Sequence, residues 1–187
     1  MTETTPLAVL TVCTGNICRS PALERLLAQR FGDAVTVSSA GTGAVVGAPI
    51  HPPMVALMEA AGVNTAGFAA RQINEGIVAG AELIIPLTVE HRSAVLRDSP
   101  AALRRCFTIL ELAAIVTSPD FPALTGETRA ERLREAVKLA AAYRALAADA
   151  ERDVPDPYRR GNESYRHAWD LIVRAVDGLA GVIEPAR

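Results

Sequence analysis

The sequence predicts a single doubly wound α/β domain, and three observations predict it. Short runs rich in β-branched residues alternate with longer stretches of helical period, as in parallel βαβ units. Half of the 187 residues are hydrophobic, which is enough for one sizeable core. Glycine and proline are scattered rather than gathered into a linker. We therefore expect residues 1–187 to form one domain.

Four segments have the composition of buried strands, and helical patterns lie between and after them. The predicted strands are Leu7–Val12, Val35–Ser39, Leu83–Leu87 and Cys106–Leu110. The predicted helices are Pro21–Phe31, Pro52–Ala61, a long alanine-rich helix over 127–150, and Glu163–Leu179. We expect a three-layer α/β/α arrangement around a four-stranded parallel sheet, with a helical insertion at about 117–152.

Composition excludes several classes of function. The net charge is −2 and the sequence has no basic run, so no nucleic-acid-binding surface is expected. No segment is long and apolar enough to span a bilayer. Cys13, Cys18 and Cys106 are odd in number and lack zinc-ligand spacing, so neither a disulfide framework nor a structural metal is expected. The start "MTETTP" lacks the features of a signal peptide, so we expect a cytoplasmic protein.

The stretch "VLTVCTGNICRSPALERLL" joins a predicted strand to a predicted helix. If the strand ends at Cys13 and Ser20 caps the helix, the backbone N–H groups of residues 14–19 can converge on an anion at the helix N-terminus. Gly15 permits the backbone angles of such a turn. Arg19 adds a planar fork of donors that matches two oxygens of a phosphate. The partial positive charge at the helix N-terminus also stabilises a thiolate at Cys13. A thiolate beneath a bound phosphoryl group is a nucleophile.

The pattern Cys13-x5-Arg19-Ser20, within "VCTGNICRSP", resembles the active-site signature of the low-molecular-weight protein tyrosine phosphatase family, bacterial type. A second motif, "DVPDPYRRG", places Asp156-Pro157-Tyr158 before the last helix, where that family has its acid loop. The resemblance implies the phosphotyrosine protein phosphatase I-like fold and hydrolysis through a phosphocysteine on Cys13. It also implies Asp156 as general acid and then base.

The resemblance extends to the surrounding residues. It implies a phosphate-binding loop of Thr14, Gly15, Asn16, Ile17, Cys18 and Arg19, supporting residues Asn16, Ser20 and Ser39, and a substrate cleft formed by Val45, Val46 and Tyr158. It further implies that Cys18 traps an oxidised Cys13 as a reversible disulfide. Asp153 is expected to be a solvated loop charge.

Three departures from the family pattern stand out. Val45-Val46 replaces an aromatic wall and is similar to bacterial phosphatases paired with exopolysaccharide tyrosine kinases. Phe68 stands where relatives often place a histidine that supports the phosphate loop. Pro86 removes a ladder donor from the third strand. The expected partner is a phosphotyrosine protein, with a bacterial tyrosine kinase among the candidates. The expected state is a monomer or weak homodimer without a cofactor.

Two other functions stay open at this point. Related arsenate reductases use the same loop, and a version that relies on a small thiol would need only Cys13. A thioredoxin-coupled version would need two more cysteines, and only Cys106 is available outside the loop. A phosphotyrosine-binding module would use the loop without turnover.

Overall fold

The computed structural model describes residues 5–184, in which three parallel strands form a sheet of order β2-β1-β3. They are β1 (Leu7–Cys13), β2 (Val35–Gly41) and β3 (Leu83–Pro86). The central strand pairs with β2 from Leu7 opposite Val35 to Cys13 opposite Gly41. Because strand order reverses at β1, its carboxyl end is the topological switch point, where open α/β sheets bind ligands.

Helices cover both faces of the sheet, which confirms the three-layer prediction. They are α1 (Arg19–Phe31), α2 (Pro52–Ala60), α3 (Glu75–Ala79), α4 (Val89–Asp98), α5 (Ile109–Val116), α6 (Arg129–Ala142) and α7 (Asn162–Ile183). The larger core packs α1, α5, α6 and α7 against one face, with Val9, Leu23 and Ile172 among its members. The smaller core, around Leu10 and Ile84, lies under α3 and α4.

The predicted fourth strand is wrong. Cys106 makes a single parallel bridge to Ile84, and the chain turns into α5 at Ile109. Pro86 explains why a fourth strand does not pair with β3. Backbone amides along a strand point alternately to its two sides. Because the amide of Leu87 donates to Val12 of β1, the nitrogen of Pro86 points to the opposite side, where a fourth strand would lie. Proline has no N–H to continue a ladder there.

Two helix boundaries also differ from prediction. Helix α1 begins at Arg19 with Cys18 at its N-cap, so Ser20 lies inside the helix rather than capping it. The long alanine-rich helix ends at Ala142, and a short 3-10 helix follows at Arg144–Ala147. Within residues 5–184, no helix combines the length and apolar character that a membrane crossing requires.

Candidate active site

The loop between β1 and α1 is fixed by its carbonyl groups. The amides of Thr42, Gly43 and Val45 donate to the carbonyls of Cys13, Thr14 and Gly15 at 2.9, 3.0 and 3.0 Å, respectively, and the amide of His51 donates to the carbonyl of Ile17 at 2.8 Å. The segment after β2 therefore lies along the outside of the loop. Every one of these contacts leaves the loop amides free for another acceptor.

The loop amides are the donors that an anion would use. Among residues 5–184, no protein acceptor is bonded to the N–H groups of Thr14, Gly15, Asn16, Ile17 or Cys18. Asn16 has a φ of 53°, a left-handed conformation that a loop of this curvature requires. Backbone amides with no partner beside a helix N-terminus form an anion-binding site.

Gly41 permits the close approach of this loop to β2. A Cβ atom at Gly41 would lie 2.3 Å from the carbonyl oxygen of Thr14, well inside van der Waals contact. No other residue type fits there without moving the loop.

Cys13 lies at the end of β1 with its side chain buried, and Ser20 supports it. The sulfur of Cys13 is 3.0 Å from the Ser20 hydroxyl oxygen. That hydroxyl accepts from the amide nitrogen of Asn16 at 2.9 Å, so its own proton is available for the sulfur. The Ser20 hydroxyl is therefore placed to donate to the Cys13 sulfur.

Asn16 is the centre of a second set of contacts. Its side-chain nitrogen also donates to the hydroxyl of Ser39 at 2.8 Å, and its side-chain oxygen accepts from the amide of Arg71 at 2.8 Å. The Ser39 hydroxyl in turn donates to the carboxylate of Glu24. Burial raises the pKa of Glu24, although the bond from Ser39 opposes that effect. Sequence analysis found Asn16, Ser20 and Ser39 but missed Glu24 and Arg71, which reach the loop only through the fold.

Arg19 joins the phosphate loop to the predicted acid loop. Its side chain is 4% exposed. One terminal nitrogen donates to the carbonyl of Val154 at 3.0 Å, and the other lies 3.1 Å from a carboxylate oxygen of Asp156. Its Nε is buried and has no partner among the described residues. The structure thus brings Cys13, Arg19 and Asp156 to one end of the sheet.

His91 contacts the loop beside the cysteine, which the sequence did not reveal. Its Nε2 is 2.9 Å from the hydroxyl of Thr14, and its Nδ1 is 2.8 Å from the hydroxyl of Thr88, which caps α4. The imidazole is 5% exposed. Burial, reinforced by the positive charge of Arg19, lowers the pKa of His91 to about 4, so the ring is neutral near pH 7.

Cys18 faces away from this histidine, toward α7. Its sulfur is 3.9 Å from the hydroxyl of Tyr165, which is 2.9 Å from Nδ1 of His51. Burial raises the pKa of the Cys18 thiol to about 12. His51 also contacts the edge of Tyr158, with ring centroids 5.3 Å apart.

The three predicted cleft residues lie at the surface. Val45, Val46 and Tyr158 are 50%, 70% and 39% exposed. Val45 borders Gly15 of the loop, whereas Tyr158 follows the acid loop. Phe68, in contrast, is half-buried with the guanidinium of Arg25 over its ring at 5.9 Å. Among the described residues, no group of three histidine, cysteine, aspartate or glutamate side chains has the arrangement of a metal site.

Comparison with known proteins fits this geometry. The family model described as low molecular weight phosphotyrosine protein phosphatase matches residues 8–117, which include the whole loop, β2, β3 and all but the first residue of β1. The chain belongs to this family. Its relatives in the low molecular weight phosphatase family include Wzb of Salmonella typhi, named a protein-tyrosine-phosphatase. That protein is 29% identical over 167 residues, with 89% of this chain and 87% of the relative covered.

Two solved structures of low molecular weight phosphatase fold are similar along nearly the whole chain. The tyrosine phosphatase AmsI of Erwinia amylovora has a TM-score of 0.71 at 19% identity, covering 97% of this chain and 95% of that one. The YwlE arginine phosphatase of Geobacillus stearothermophilus has a TM-score of 0.69 at 24% identity, covering 94% and 92%. At these identities they establish the fold. Membership of a phosphatase family does not favour the arsenate reductase or the binding module.

Proposed function

We propose that the chain is a protein tyrosine phosphatase that hydrolyses phosphotyrosine in two displacement steps through a phosphocysteine on Cys13. The observation that carries this proposal is the contact of Asp156 with Arg19, which ends the loop that begins at the buried Cys13 and whose amides have no protein acceptor among residues 5–184. This contact supports a site that combines a nucleophile, an oxyanion-binding loop and an acid. Those are the three groups that transfer of a phosphoryl group from an aryl ester requires.

In the first step, the Cys13 thiolate attacks phosphorus in line with the tyrosine oxygen. The sulfur–phosphorus bond forms as the phosphorus–oxygen bond breaks, and Asp156 gives its proton to the leaving oxygen. The loop amides and Arg19 bind the other phosphate oxygens. Arg19 can use Nε for this because its terminal nitrogens already bond Val154 and Asp156.

In the second step, the Asp156 carboxylate takes a proton from water as that water attacks the phosphocysteine. The sulfur leaves as a thiolate, and phosphate is released. The Ser20 hydroxyl, 3.0 Å from the sulfur, stabilises the charge that returns to Cys13.

The proposed substrate is a phosphotyrosine protein, with a bacterial tyrosine kinase as the proposed partner and the cytoplasm as the proposed location. The exposed pair Val45 and Val46 beside the loop supports a protein substrate, because it offers an apolar surface next to the phosphate site. A monomer or weak homodimer is proposed, with residues 1–187 as one domain and the segment 117–152 as its insertion.

The test is phosphate release, without added metal, from phenyl phosphate and from peptides carrying phosphotyrosine or phosphoarginine. Wild type should hydrolyse the aryl ester and the phosphotyrosine peptide, and Cys13→Ser should not. Cys106→Ser is the matched control: it removes a buried cysteine from the opposite face of the sheet and should retain turnover per folded molecule. Circular dichroism checks that each variant folds.

Arsenate-dependent oxidation of a small thiol is measured in parallel. Arsenate turnover without ester hydrolysis would replace the proposal with a reductase. Binding of the phosphotyrosine peptide without any release of phosphate would replace it with a recognition module. Preference for phosphoarginine would retain the mechanism but change the substrate.

A further inference from the structure

Asp153 is exposed, as the sequence suggested, but its carboxylate is also bonded to another element. One of its carboxylate oxygens accepts from the backbone amide of Val89 at 2.7 Å. Val89 is the first residue of α4, and the hydroxyl of Thr88 accepts from the amide of His91, three residues after Thr88. The carboxylate therefore caps the positive end of a ten-residue helix from a segment 64 residues away.

Val154, the next residue, is tied to two parts of the site. Its amide donates to the carbonyl of Leu87 at 2.8 Å, and its carbonyl accepts from Arg19 at 3.0 Å. The amide of Leu87 donates to Val12, the residue before the nucleophile. The Val154 side chain is fully buried. Asp153 and Val154 together fix where the acid loop leaves the sheet.

Asp156 has little support of its own. Its side chain is 48% exposed, and within residues 5–184 its carboxylate bonds, besides Arg19, the amide of Tyr158 at 3.2 Å. Pro155 and Pro157 flank it, and each proline restricts φ and the residue before it. A displacement of the chain at residue 153 is therefore passed along this stiff segment to the acid instead of being absorbed within it.

We propose that Asp153 is a positioning residue for the general acid. Its bond to the first amide of α4 sets the position of the segment 153–157 so that the Asp156 carboxyl reaches the leaving oxygen. This inference rests on the proposed function, because it assigns Asp153 a part in the protonation step. The predicted defect is therefore confined to substrates whose leaving group needs a proton.

The experiment measures kcat/KM for Asp153→Ala over aryl phosphates ranging from 2,4-dinitrophenyl phosphate, whose leaving group departs without a proton, to phenyl phosphate. We expect a loss of about tenfold with phenyl phosphate, a part of the ~10²–10⁴ that a general acid contributes. With the dinitrophenyl ester, the rate should match that of wild type. Asp153→Asn should restore most of the loss, since its amide oxygen still accepts from Val89.

Three comparisons make the result specific. Asp149→Ala removes an exposed aspartate four residues earlier in the same segment and should behave as wild type. In an Asp156→Ala background, Asp153→Ala should cause no further loss, because the acid it positions is gone. Asp153→Ser, which also shortens the side chain, serves if the alanine variant folds poorly.

Three results would overturn the inference. Asp153→Ala could lower kcat/KM equally for all esters, or its kcat/KM could depend on the leaving group just as that of wild type does. Asp153→Ala could also cause the same loss in the Asp156→Ala background as in wild type. Each of those results leaves the proposed function intact, because each can be observed only if the wild-type enzyme hydrolyses the esters. Absence of hydrolysis by wild type would instead overturn the proposed function itself.

Discussion

His91 gives the fold a dependence on pH that can be measured directly. The side chain is buried between the phosphate loop and α4, where burial and the charge of Arg19 lower its pKa from 6.5 to about 4. The carboxylates of Asp156 and Asp153 oppose this shift but do not overcome it. An unfolded chain has no such environment, so its histidine titrates near 6.5.

The direction in which the free energy of unfolding changes with pH follows from proton binding by the two states. Between pH 6.5 and about 4, the unfolded chain binds a proton at His91 that the folded chain does not. The free energy of unfolding therefore falls as pH falls through this window, and the contribution of the neutral ring is fully present above pH 6.5. At about 1.4 kcal/mol per pKa unit, the loss amounts to about 3 kcal/mol.

The assay is urea denaturation of wild type and His91→Gln at intervals from pH 7 to pH 4. Glutamine keeps hydrogen-bonding capacity toward Thr14 but does not titrate. We expect the difference in unfolding free energy between the two proteins to change by about 3 kcal/mol across the window. Glu24, whose raised pKa acts in the opposite direction, is present in both proteins and cancels. A difference that stays constant with pH would refute the assignment of the buried neutral ring.

Four further predictions concern other residues. Asp156→Ala should retain phosphate binding by titration but slow aryl phosphate turnover by ~10²–10⁴-fold; a wild-type rate would remove it from the acid role. Glu111→Ala removes a fully buried carboxylate that is paired with the partly exposed Arg92, and should lower the free energy of unfolding by about 3–5 kcal/mol in urea melts. Gly41→Ala should displace the loop and reduce turnover sharply, whereas the matched Gly43→Ala, whose Cβ would make an ordinary contact with the Thr14 side chain at 3.9 Å, should not; equal rates would contradict the close approach. Peroxide inactivation should be reversed by a dithiol in wild type but not in Cys18→Ala, and equal recovery would exclude a trapping role.

The sequence predicted the parts of the site that are close together in the chain. The strand, loop and helix of Val9–Leu27 are encoded by local composition, and the loop residues lie where the spacing placed them. Asp156 was found through a motif, but its contact with Arg19 spans 137 positions and depends on the fold. The contacts of His91, Glu24 and Asp153 with Thr14, Ser39 and Val89 were not predicted, because each joins two different parts of the fold.

The wrong fourth strand shows the limit of pattern alone. A short, mostly apolar run such as residues 106–110 suits a strand or a buried helix equally well. The deciding signal was the capping box, in which Thr108 bonds the amide of Glu111 and Glu111 bonds back to Thr108. That T-x-x-E spacing marks a helix start at Ile109 and was available in the sequence. Likewise, Ser20 is a poor guide to the start of α1 because its hydroxyl is committed to Cys13 and Asn16.

The outward carbonyl contacts of the phosphate loop have a consequence for how quickly and how tightly an anion binds. Because separate amides of the segment after β2 fix those carbonyls, the loop acquires its curvature when the chain folds. An arriving phosphate then need not order the backbone, so little conformational entropy is lost on association. Encounter should be limited by diffusion and by removal of water from the anion, and the loop should release inorganic phosphate as readily as it admits the ester.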